Sequence, residues 1–237
     1  MNYDLIIYLL FFAAVIFSLY AQIKVSTTFN KYSRTPSGTN RTAADVAQMI
    51  LSSHGVYDVR IERVGGSLTD HYDPRAKVLR LSDSVYSSTS AAAIGVAAHE
   101  AGHALQHAEG YIPIKIRSAL VPVTNFASRI SWIVIMLGFV LTYVAGTVES
   151  NTGYYVLMAG ILLFSVTAIF QLVTLPCEFN ASSRALSDIK KCGWYTASEV
   201  DASRRVLSAA AMTYVAALFV TIMQILRLLT AANRSRR

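Results

Sequence analysis

Leu5-Ile6-Ile7-Tyr8-Leu9-Leu10-Phe11-Phe12-Ala13-Ala14-Val15-Ile16-Phe17-Ser18-Leu19-Tyr20-Ala21-Gln22-Ile23 runs without a charge between Asp4 and Lys24. A helix rising about 1.5 Å per residue needs roughly 20 mostly apolar residues to cross a hydrocarbon layer about 30 Å thick, so this stretch is long enough to span. Similar uncharged runs lie between Arg129 and Glu149, Glu149 and Glu178, and Arg205 and Arg227. They place spans at Leu5–Ile23, Ile130–Val148, Tyr154–Leu175 and Ser208–Leu226. In a chain of 237 residues that is 54% hydrophobic and 15% charged, four such runs exclude an ordinary soluble domain. A mean hydropathy of +0.42 agrees.

Lysine and arginine are unevenly placed. Twelve fall in Lys24–Arg129 and five in Pro176–Leu207, whereas the segment before the first span and the loop Glu149–Gly153 have none. By the rule that cytoplasmic loops collect positive charge, both basic segments face the cytoplasm. Arg227, Arg234, Arg236 and Arg237 after the last span pull the other way, unless the fourth helix is short or re-entrant. The net charge of +7 is then a topology signal and an attraction to anionic lipid, with no nucleic acid required. The first span reads as an anchor, since its acidic leading residues and lack of a small-residue cleavage site do not suit a removable signal. Cys177 and Cys192 are too few for a zinc ribbon and read as packing residues. The sequon Asn40-Arg41-Thr42 has no meaning on a cytoplasmic face.

Between the first two spans the sequence becomes globular. Lys24–Asn40 is a polar linker, and Thr42–Ser53 predicts a helix with Val46, Met49, Ile50 and Leu51 on its apolar face and Gly55 as its stop. Val56–Val64 and Lys77–Ser82 alternate like strands, separated by Gly65-Gly66 and by an Asp73-Pro74 turn. The second of them is a candidate edge for an extended substrate. After the N-cap candidates Ser87–Ser90, the alanine-rich stretch Ala91–Ala108 predicts a helix ending near Gly110.

That helix carries His99-Glu100-Ala101-Gly102-His103. Histidines four residues apart share a helix face, so both imidazoles reach one Zn²⁺ ion, and Glu100 sits beside them as a non-ligating base. Three protein ligands leave a fourth position for water, and the chemistry this implies is peptide hydrolysis. Gly102 costs roughly 1 kcal/mol against alanine and suits a close approach of another backbone. The third ligand remains to be found. His107 is eight residues and about 12 Å from His99 along the helix, too far to share an ion. His54 and His71 lie in loops or element ends. Glu178 is the better candidate, two spans later and back on the same membrane side, after a break at Pro176 that would open a short new helix. His107, Arg184 and Tyr195 are available as outer-sphere or oxyanion groups.

The run from His99 to His107, the following Tyr111-Ile112-Pro113, and Thr174-Leu175-Pro176-Cys177-Glu178-Phe179-Asn180-Ala181-Ser182 resemble the YugP-type neutral zinc metallopeptidases of bacteria over nearly the whole chain. The order of motif helix, two spans and glutamate helix is more distantly similar to the HtpX-type and prenyl-protein-processing membrane gluzincins. This resemblance implies a membrane zinc protease acting on protein or peptide substrates. The glutamate helix of those gluzincins usually has an aspartate four residues after its ligand. Ser182 stands there instead, with Asn180 or Asp188 as substitutes.

The chain is thus expected to be a mainly α membrane protein, with four transmembrane helices and a small α+β zincin-like catalytic segment on the cytoplasmic side of the cell membrane. Its expected parts are an anchor (1–23), a catalytic segment (24–129), a two-span hairpin (130–175), a third-ligand helical segment (176–207), and a fourth span with a basic tail (208–237). An intramembrane protease is excluded, since Glu109, Lys115 and Arg117 flank the motif and no span contains an aspartate. The competing class is a non-enzymatic scaffold or regulatory protein with a structural or degenerate zinc site, which would have no use for Glu100.

Overall fold

The computed structural model describes residues 3–144 and 151–234. It is mainly helical, with helices α1 (Tyr3–Tyr32), α2 (Ala43–Ser53), α3 (Ala91–Ala108), α4 (Ile112–Val144), α5 (Thr152–Lys191) and α6 (Ala197–Arg234), and strands β1 (Arg60–Val64), β2 (His71–Asp73) and β3 (Val78–Ser82). Among the described residues, α1, α4, α5 and α6 are long and apolar enough to cross a membrane. The end of the second span and the start of the loop expected at Glu149–Gly153 lie outside the described residues, as do Arg236 and Arg237.

The chain divides into two compact units. One takes in the described parts of Met1–Tyr20, Ile116–Thr174 and Tyr214–Arg237. Ile135, Leu157, Ile161, Leu228 and Ala232 form its core. Leu9, Phe12, Ile133, Met136, Leu162 and Ile169 are exposed on it, an outward apolar surface that matches lipid tails and would be costly in water. Asp4 pairs with Arg234, and Arg227 stacks on the Phe11 ring at 4.5 Å, so two of the tail cations are engaged within this unit.

The other unit comprises Ala21–Lys115 and Leu175–Thr213. Its sheet has the order β1-β3-β2, with β1 parallel and β2 antiparallel to β3. The expected strand Val56–Val64 starts only at Arg60, where β3 first offers a partner in Val78, and Val56 and Val59 turn into the core instead. β3 is the central strand, with both edges already hydrogen-bonded, so it cannot accept a substrate strand as its alternating sequence suggested. Reciprocal bonds between Thr42 and Asp45 cap α2. Ser90 Oγ accepts from Ala93 N at 3.2 Å to cap α3. At the far end of α3, Gly110 has φ +69, which lets Tyr111 N donate back to Gln106 O at 2.9 Å. The alanines of α3 pack with Ile50, Leu51, Leu79, Leu81 and Ile189 in one core.

No new helix begins at Pro176. α5 continues through it from Thr152 to Lys191. Proline removes only one helical donor, and the long apolar helix on its N-terminal side already fixes the axis, so the expected break does not occur.

Candidate metal centre

α3 brings His99, Glu100, His103 and Gln106 into the second unit, and the C-terminal part of α5 brings Glu178, Asn180 and Ser182. Gly102 sets how near these helices come. A Cβ there would lie 2.8 Å from the Ala181 carbonyl oxygen and 3.3 Å from Ala181 Cα, so only glycine permits this approach. The cost of a glycine inside α3 therefore has a structural return, as the sequence suggested.

This approach gathers three donors. Glu178 Oε2 lies 3.2 Å from His99 Nε2 and 3.6 Å from His103 Nε2. One ligand atom from each of the three residues can be chosen so that all lie within 4.8 Å of one another. The imidazole rings stand edge to face, 4.7 Å between centroids. Glu178 is 2% and His103 7% exposed, so the donors converge in a largely dry place. Two imidazole nitrogens and a carboxylate oxygen form a donor set that suits zinc. His103 is held above the ordinary histidine range. Burial alone would lower it, but the Glu178 and Glu100 carboxylates favour its charged form and outweigh that effect.

The outer groups decide which ring nitrogen is available. Gln106 is fully buried, and its Nε2 donates to Cys177 O at 2.8 Å and Asn180 Oδ1 at 2.9 Å. With both amide hydrogens spent, its Oε1 can only accept, and it does so from His103 Nδ1 at 3.0 Å. When the ring is neutral, its one proton therefore sits on Nδ1 and the Nε2 lone pair faces the cluster. His99 Nδ1 lies 3.1 Å from Ser182 Oγ, so the serine occupies the aspartate position by contact as well as by sequence. Of the substitutes considered, Asn180 joins the centre through Gln106, whereas Asp188 pairs with His54 at 3.1 Å.

The remaining candidates are dispersed. Arg184 donates through Nε to Asn180 Oδ1 at 2.8 Å and pairs with Glu109 at 2.7 Å, extending the polar chain from His103. His107 lies beside the Tyr72 ring, 5.7 Å between centroids. Tyr195 packs half-buried against the core, and no hydrogen bond joins it to the cluster. His71 bonds to Thr69 O on the sheet side. Glu100, next to His99 on α3, is half-buried and makes no hydrogen bond or ion pair among the described residues.

Two participants were not found from sequence. Gln106 stands three residues after His103, a spacing that places both on one face and could have marked it. Asp70, in the loop before β2, accepts from Ser82 N at 2.7 Å and Ser82 Oγ at 2.9 Å. Burial holds its carboxyl above the usual range, and the nearby charge of Glu100 adds to this. No local pattern announces it.

The family model described as "Putative neutral zinc metallopeptidase" matches residues 7–233. The curated protein "Putative membrane protease YugP" of Bacillus subtilis (strain 168) is 46% identical over 215 residues, which cover 91% of this chain and 91% of that protein. No solved structure matches.

Proposed function

The chain belongs to the zinc metallopeptidase family whose model spans it, and from that premise we propose that it is a membrane-embedded zinc-dependent endopeptidase cleaving protein or peptide substrates. The observation that carries this reading is the convergence of His99, His103 and Glu178 on one point. His99, His103 and Glu178 are the residues that would hold one zinc ion. A zinc ion held there would supply Lewis-acid chemistry, polarising a substrate carbonyl and acidifying water to a pKa of about 7.

Glu100 takes the proton from the attacking water and returns it to the leaving amine nitrogen. Ser182 and Gln106 hold the imidazoles in position. Asn180 and Arg184 brace Gln106, and through Glu109 they tie the end of α3 to α5. The outer strand β2, which touches α3 through Tyr72 and His107, is the sheet edge an extended substrate would use in place of β3.

The protein is placed in the cell membrane as a multi-pass protein, with residues 24–129 and 176–207 on the cytoplasmic face, supported by the distribution of lysine and arginine. A reporter inserted within Thr35–Asn40 is expected to behave as cytoplasmic, and activity on the far side would invert the topology.

Glu100→Gln tests the chemistry. Zinc per chain should match wild type while peptide cleavage falls by about 10²- to 10⁴-fold. Equal zinc with equal cleavage would replace the hydrolase by the scaffold reading.

A further inference from the structure

Away from the metal centre, the second unit has a groove of about 440 Å³ between α1 and α6. Lys24, Thr28 and Lys31 are spaced along one face of α1, and Asp201, Arg204 and Arg205 line the facing stretch of α6. Arg205 Nε is bonded to Asp201 at 2.7 Å. Lys24, Lys31 and Arg204 have no carboxylate in ion-pair reach among the described residues, so the groove holds three uncompensated positive charges. The side chains of all three are exposed. Tyr32, Ala209 and Met212 give it a partly apolar lining.

Its place in the sequence is as informative as its charge. Lys24 is the first charged residue after the apolar run from Leu5 to Ile23, and Arg205 is the last before the run ending at Leu226. Ala209 and Met212 already belong to that second run. The groove thus joins a cationic half, at the height where spans emerge into headgroups, to an apolar half that continues toward the acyl layer. A free anion would use only the cations, whereas a phospholipid uses both halves, and Thr28 and Ser208 supply hydroxyls between them.

We propose that this groove binds the headgroup phosphate of an anionic phospholipid, with Lys24, Lys31 and Arg204 around the phosphate and Met212 against the first acyl carbons. The site is independent of zinc and of catalysis.

Native mass spectrometry of the full chain released from detergent, after incubation with phosphatidylglycerol, phosphatidylcholine or glycerol phosphate, tests it. One phosphatidylglycerol should remain bound in preference to the other two. Lys31→Gln and Arg204→Gln should each weaken retention about fivefold, the equivalent of about 1 kcal/mol per juxtamembrane cation. Arg75→Gln, the same charge change between β2 and β3, should not alter it. Equal retention of phosphatidylcholine, equal retention of glycerol phosphate, or equal weakening by Arg75→Gln each overturns the proposal. Far-UV ellipticity reports folding; if either variant is misfolded, Lys24→Gln is read in its place, and a loss below twofold there also overturns it.

Discussion

At Gly102 and at Gly138 helices approach so closely that an added methyl group would meet backbone, 2.8 Å from Ala181 O in the first case and 2.5 Å from Leu157 N in the second. Gly160 repeats the second contact, with Ile135 N at 2.8 Å. Around Gly138 and Gly160 the neighbours are Ile135, Leu157 and Ile161, so closeness there produces dispersion contacts between apolar helices. Around Gly102 the neighbours are His103, Gln106 and Glu178, and closeness delivers a carboxylate to two imidazoles. One steric device therefore packs helices in one unit and assembles a donor set in the other. What differs is the chemistry of the side chains flanking the glycine.

The sharpest test of that distinction is removal of the donor that the Gly102 contact delivers. Glu178→Ala should lose stoichiometric zinc after gel filtration, measured by metal analysis, whereas zinc retained in full would place the third ligand elsewhere. The glycines themselves come next. Gly102→Val should strip zinc by separating α3 from Ala181. Gly138→Val should keep zinc but lower the unfolding midpoint, at a cost of about 1–3 kcal/mol for overpacking. If the two variants exchange these outcomes, the contrast between the contacts is wrong.

Smaller effects follow in the polar chain. Gln106→Ala should weaken zinc about 10- to 100-fold in competition with a chelator, and Ser182→Ala about tenfold, the lower end of what such supporting groups contribute. His107→Ala should leave zinc affinity within about twofold, since His107 contacts the Tyr72 ring and lies outside the donor set. A large loss in that variant would mean the donor set includes His107.

The sequence was most readable where one physical signal dominates. Uncharged runs about as long as the hydrocarbon layer is thick mark the four long helices, and Gly110 marks the end of α3 because its left-handed conformation suits few other residues. Gly102 could be anticipated as a point of close approach, although the partner, Ala181, is 79 residues away and no local rule supplies it. Pro176 misled because its usual effect is local, whereas the helix that contains it runs unbroken from Thr152 to Lys191. β2 escaped because three residues are too short to display alternation, and its pairing with β3 depends on the turn between them. Gln106 reads as one polar residue on an alanine-rich helix until α5 supplies Cys177 O and Asn180 Oδ1, after which its orientation has no freedom left.

That lack of freedom bears on how quickly the centre can be loaded. An imidazole whose hydrogen can hop between its nitrogens must spend part of its time presenting the wrong edge to an arriving cation. At His103 the amide of Gln106 removes that alternative before any cation arrives, so uptake asks only that the ring give up its Nε2 hydrogen, with no exchange between the two nitrogens.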